Sequence, residues 1–226
     1  MCGRFTLTTR PEVIAREFAL ESAPELSPRF NVAPGQPVAT VWQPPGAARE
    51  LRLRRWGLVP RWAKDPSIAS RLINARSETA HEKPAFRDAM RRRRCLVPAD
   101  GFFEWAAAGR GPKQPYFIAL AERTPFAIAG LFERWSAPGG ELLESCTLLT
   151  VPASEKLRAI HERMPAILPR DAWEPWLAPD VTDAALVQGL LAPWAGPELA
   201  PLAVSLRVNR TEHDDPSCIA PLADSF

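Results

Sequence analysis

Position 2 of the chain is a cysteine, in MCGRFTL. Removal of Met1 would turn that one residue into two nucleophiles, an α-amine titrating near ~8 and a thiol titrating near ~8.5. At neutral pH a useful minority of each is then reactive, and the pair is a reagent for capturing an aldehyde. Other polar residues recur where apolar neighbours point to partial burial. INARSET at 73–79 offers Asn74, Arg76 and Glu78 at alternate positions, which in an extended segment project from one face. GFFEW at 101–105 sets Glu104 among Phe102, Phe103 and Trp105. Burial there would disfavour the carboxylate and make Glu104 a proton carrier near neutrality, whereas on an edge strand it would simply face water. LTVPA at 149–153 puts Thr150 at a strand end, and AIHERMPAIL puts His161 and Arg163 just before Pro165. Taken alone, His161 suits a surface or helix-terminal position better than a catalytic one, and Asn74 and Arg76 can close a turn.

The 226 residues suit one domain with a substantial core, and a composition of 46% hydrophobic and 24% charged residues is globular. The first residues lack the apolar stretch of a signal peptide, and no apolar run has the length of a membrane span, so a cytoplasmic location is expected. Cys2, Cys95, Cys146 and Cys218 form no C-x-x-C pair, and His81, His161 and His213 are equally dispersed, so spacing indicates no metal site. Cys95 and Cys146 lie in apolar runs and read as core. Net charge is only +2, but residues 1–110 hold 19 Lys and Arg against 11 Asp and Glu, while the remainder holds 9 against 15. The basic half includes LRLRR at 51–55 and RRRR at 91–94, either a face for a polyanion or a solvated arginine-rich surface.

These side chains need elements to position them. A short helix is expected after Thr9, with Pro11 early and Val13, Ile14 and Phe18 as its apolar stripe. Strands are expected in PGQPVATVW, ELRLRRWGLV, CLVP, PYFIALAE, FAIAGLFERW, LESCTLLTV and LAVSLRV. Helices are expected in KPAFRDAMRRRR, ASEKLRAIHE, RDAWEPWL and DAALVQGLL. Strands in runs with few helices between them fit one α+β domain over 1–226, a curved and largely antiparallel sheet or open barrel with peripheral helices.

The series MCGRFTL, RFNVAPGQ, WGLVPRWAKD, INARSET, RCLVPADGFFEW, LTVPA and HERMPAIL, in that order over about residues 1–215, resembles the SRAP (SOS-response-associated peptidase) family. The resemblance implies a sensor and processor of abasic sites in single-stranded DNA, including ones at single-strand/duplex junctions. Its nucleophile would be Cys2 after methionine removal, closing a thiazolidine crosslink with the opened sugar. It implies that Asn74 holds the new terminus and that Glu104 and His161 are an acid/base pair. Arg76 would contact a phosphate, and Arg4, Asn31, Pro34, Trp62, Thr150 and Arg163 would belong to the DNA-facing surface. No cofactor, metal or membrane is implied, and a bacterial, nucleoid-associated monomer is expected. The family name also implies peptidase or hydrolase activity alongside a lyase type. A cysteine peptidase limited to self-processing, or a non-covalent single-strand binder, is the alternative. From about His213 the chain matches no chemistry.

Overall fold

The computed structural model describes residues 2–107, 109, 111–192 and 194–222, so the expected removal of Met1 concerns a residue outside those described. In chain order the strands are β1 (Arg4–Leu7), β2 (Arg29–Val32), β3 (Pro37–Trp42), β4 (Glu50–Trp56), β5 (Asn74–Arg76), β6 (Arg94–Ala99) and β7 (Gly101–Ala106). They continue with β8 (Gln114–Leu120), β9 (Phe126–Ser136), β10 (Leu142–Pro152), β11 (Arg163–Pro165), β12 (Ile167–Leu168) and β13 (Leu199–Ala203). The α+β class expected from the sequence holds.

The strands make two sheets. One has the order β13-β8-β7-β1-β2 and is antiparallel throughout. In the other, β4, β3, β6, β9 and β10 follow one another, and β10 returns to pair in parallel with β4, so five strands close a barrel where an open one was expected. The closure rests on the length of β10, which runs from Leu142 to Pro152. One of its edges serves β9 and then β11, and the other serves β4 and then β5. Gly130 of β9 allows the walls to approach, because a Cβ there would meet Cys95 Sγ at 2.9 Å. Gly57 ends β4 at φ +123°, a conformation that favours glycine, and its N–H donates to Cys146 O at 2.8 Å.

A continuous apolar core joins the barrel to the other sheet, with Phe5 and Ile118 from the sheet packed among Trp56, Leu96, Leu131 and Leu148 from the barrel. Helices lie outside it. Helix α1 (Pro11–Phe18) begins at its proline, buries Ile14 and Phe18, and stacks Phe18 on Trp173 with centroids 4.5 Å apart. Then follow α2 (Ser77–Ala80), α3 (Arg87–Arg92), α4 (Glu155–Arg158), α5 (Trp173–Leu177) and α6 (Ala184–Gly189).

Three expectations change in detail. The helix expected across 153–162 shrinks to the four residues of α4, because Ala153 N–H is taken by Glu162 O at 2.9 Å as the chain doubles back to place β11 on β10. The late strand lies at Leu199–Ala203, earlier than expected, because Ser205 Oγ accepts from Arg207 N–H and starts a 3-10 turn over Leu206–Asn209. Its Pro201 is tolerated because β13 is an edge strand. INARSET is extended only through Arg76, so Glu78 lies in α2 and the expected common face of three residues is not formed.

The basic runs also divide. Arg54 and Arg94 are buried, and Arg93 pairs with Glu133 at 2.7 Å. The Arg54 guanidinium stacks on Phe132 at 4.0 Å and bonds Thr40 Oγ1, while Arg52, Arg55, Arg91 and Arg92 remain exposed. LRLRR and RRRR are therefore not one uninterrupted positive face.

Candidate active site

Chain entry sets the site. Cys2 is separated from β1 by Gly3 alone, and β1 runs antiparallel to β7 with Arg4 opposite Phe103. One step along that register, Glu104 comes beside the start of the chain. Alternation along β7 turns Phe103 into a small outer cluster with Phe117 and Val208, and turns Phe102 and Glu104 to the opposite face. Glu104 is only 3% exposed, which excludes the water-facing alternative.

From the other side, β5 lies along β10 and presents Asn74, whose Nδ2 donates to the Cys2 carbonyl at 2.7 Å. The Asn74 Oδ1 is buried and has no hydrogen-bond partner among the described residues. Across β10, β11 follows His161. His161 Nδ1 lies 3.0 Å from the Arg163 amide nitrogen and 3.2 Å from the Arg163 carbonyl oxygen. A neutral ring can accept from the amide, and a protonated one can donate to the carbonyl, so the Arg163 backbone accommodates both protonation states of the ring.

Glu104 and His161 line a polar cleft of about 580 Å³ together with Gly3, Arg4, Pro34, Trp105, Lys113 and Asn209. Burial pushes the Glu104 carboxyl up to about 7, whereas burial lowers His161 from its ordinary value, so the carboxyl gains proton affinity while the imidazole loses it. Cys2, next in sequence to the cleft-lining Gly3, has no exposed surface, and its Sγ is 3.6 Å from Arg4 O. Burial, and next the charge of Glu104, raise its thiol far above the ordinary range. Burial therefore favours the S–H form of Cys2 over the thiolate.

The family model described as SOS response associated peptidase (SRAP) matches residues 1–211. The chain belongs to the SRAP family. Among SRAP relatives, the abasic site processing protein YoqW of Bacillus subtilis (strain 168) is 40% identical over 222 residues, 97% of this chain and 99% of that protein. The abasic site processing protein HMCES of Gallus gallus is 37% identical over 77% of this chain and 58% of its own length. A crystal structure of a Bacteroides thetaiotaomicron protein superposes with a TM-score of 0.87 at 25% identity, covering 98% of this chain and 100% of that one. One from Bordetella bronchiseptica gives 0.78 at 30% identity, covering 91% and 100%.

Within this SRAP chain the sequence-selected residues fall into distinct places. Cys2, Asn74, Glu104 and His161 converge, and Pro34 and Arg4 border the same cleft. Arg4 spends its guanidinium on the protein, donating to Asn31 Oδ1 at 2.9 Å and to the carbonyls of Val208 and Asn209. Asn31 is fully buried, and its Nδ2 donates to the carbonyls of Val208, Arg210 and His213. It ties down the C-terminal segment, and its side chain has no exposed edge for a ligand. Asp214 completes the clasp by accepting from Phe30 N–H, Asn31 N–H and Arg29. The segment from His213, which matched no chemistry, is thereby held against β2, and Asn209 just before it lines the cleft.

Thr150 is buried on β10 and opposes Arg76 of β5 and Pro165 of β11. Arg163 is bidentate to Glu78 and bonds the Thr150 carbonyl, leaving its side chain 14% exposed. Arg76 is exposed. Trp62 is 59% exposed outside the cleft lining, with its indole N–H 3.3 Å from Pro84 O.

Sequence reading missed Lys113, Asn209 and the cleft-lining role of Trp105, whose Nε1 donates to Asn209 Oδ1 at 2.7 Å. Each reaches the cleft through a turn or a distant pairing, and local pattern carries no signal for either.

Glu104 gives a stability prediction. Its carboxyl holds a proton up to about pH 7 in the fold, whereas in the unfolded chain it releases it near the ordinary 4.5. A raised carboxyl pKa costs stability as pH climbs through that window, by up to about 3 kcal/mol at 1.36 kcal/mol per unit. Glu104→Gln should therefore gain stability over the parent as pH rises from 4.5 to 7.5, read by urea denaturation at both values. Parallel pH dependences in the two proteins would exclude a buried, proton-holding Glu104.

Proposed function

We propose that this chain processes abasic sites in single-stranded DNA, and that Cys2, freed by loss of Met1, closes a thiazolidine with the ring-opened sugar. The observation that carries the reading is the tether of Cys2 by Asn74 beside a buried carboxyl and a histidine in one cleft. The names of the SRAP relatives supply the substrate class.

The aldehyde carbon of the opened deoxyribose accepts the Cys2 α-amine, and the carbinolamine loses water to an imine. An imine left there is an electron sink that promotes β-elimination and strand cleavage. The thiol then adds across the C=N bond, sulfur to carbon and proton to nitrogen, and closes a five-membered ring with net loss of one water. The S–H form favoured by burial supplies that proton, with Glu104 as the adjacent relay. His161 serves opening of the sugar and release of hydroxide as water. The unpartnered Asn74 Oδ1 is an acceptor suited to the new amine, which otherwise samples many orientations. Exposed Arg76 and Trp62 suit phosphate contact and base stacking, and Pro34 borders the path of the strand.

The test incubates the protein with one abasic oligonucleotide as a single strand, as the same strand annealed to its complement, and with a tetrahydrofuran residue in place of the sugar. Adduct is expected most on the single strand, less on the duplex and none on tetrahydrofuran, which cannot open. Equal yield on tetrahydrofuran would eliminate aldehyde capture, and equal yield on duplex would eliminate the single-strand preference.

A further inference from the structure

We propose that Lys113 grips a strand phosphate next to the reacting sugar, an anion-binding position within the cleft that rests on the single-strand reading above. Lys113, the residue just before β8, lines the cleft with Glu104 and His161. Its backbone is anchored, because Gln114 opposes Ala106 across the β7–β8 hairpin and its Nε2 donates to Val204 O at 2.9 Å.

Two other cations near the reacting groups are occupied. Arg4 is held by Asn31, Val208 and Asn209, and Arg163 by Glu78 and Thr150. Lys113 is exposed and makes no hydrogen bond or ion pair with any described residue. Its charge reaches both reacting groups, pulling the proton affinity of Glu104 and of His161 downward, so the ammonium lies near the place where the sugar reacts. A strand delivering a sugar to Cys2 brings its flanking phosphates into this space, and a flexible ammonium matches a phosphate as a point charge.

The test measures binding of the parent, Lys113→Gln and Lys113→Arg to a single strand carrying one tetrahydrofuran residue, by fluorescence anisotropy over a series of salt concentrations. Lys113→Gln should bind about three- to tenfold more weakly at low salt, and its log Kd against log salt should be shallower by about 0.7, one single-strand phosphate contact. Lys113→Arg should retain the parental slope. Replacing one flanking phosphate by neutral methylphosphonate should erase the difference between the parent and Lys113→Gln. Equal affinity and slope in Lys113→Gln, or a parental advantage that survives neutralising each flanking phosphate in turn, would overturn the assignment. A parent that fails to bind the strand would overturn the single-strand reading, and with it this inference. A parent that binds beside an unaltered Lys113→Gln overturns this inference alone.

Discussion

Cys2→Ser should abolish the borohydride-independent adduct with an abasic single strand while leaving a reducible imine that borohydride can trap. The α-amine of residue 2 survives in this variant, so the first condensation remains available and only ring closure by sulfur is lost. Cleavage of the abasic strand should rise in parallel, because the imine keeps its electron sink. Denaturing gels with and without borohydride separate the two products. A plain single-strand binder would lose nothing on this substitution, and a serine variant with parental adduct would remove the thiol from the chemistry. The burial of Cys2, which favours its S–H form, agrees with the proposed order of amine first and thiol second.

The second large effect is on stability. Arg94 closes the run RRRR, yet it is buried at the start of β6 and donates to the carbonyls of Trp176, Met90, Arg91, Ala178 and Val181. It caps the end of α3 and fastens the turn after α5 to the barrel. Arg94→Ala leaves several carbonyls unsatisfied and a cavity beside Trp176, which should cost about 3–5 kcal/mol in denaturant unfolding. Arg91→Ala, at an exposed position three residues earlier, should stay within about 0.5 kcal/mol. Equal losses in the two variants would show that the network does not hold the fold.

These two arginines show why the basic runs misled. Charge counting sees four equal arginines, whereas burial is decided by carbonyls that arrive from α5 and beyond, more than eighty residues later. Where the signal was local, it was legible. The proline start and apolar stripe of α1 and the long apolar runs of β9 and β10 follow from spacing within a few residues, whereas local pattern left Glu104 open between burial and water. Barrel closure depends on β10 sharing its edges with four partners, and the three-residue β5 and β11 exist only because β10 receives them. The convergence of Cys2, Asn74, Glu104 and His161 was likewise beyond local pattern and came from the family resemblance. Asn31 is a further case, because its three carbonyl partners, on Val208, Arg210 and His213, come from about 180 residues later.

The central claim is that residue 2 becomes the terminus and carries the lesion. Intact-protein mass spectrometry, before and after incubation with a single strand bearing one abasic site and without borohydride, tests it most directly. The expected result is a protein lacking methionine whose adduct weighs the sum of protein and oligonucleotide less one water, with no adduct on the undamaged strand. A methionine-free protein that stays unmodified by the abasic strand would contradict it.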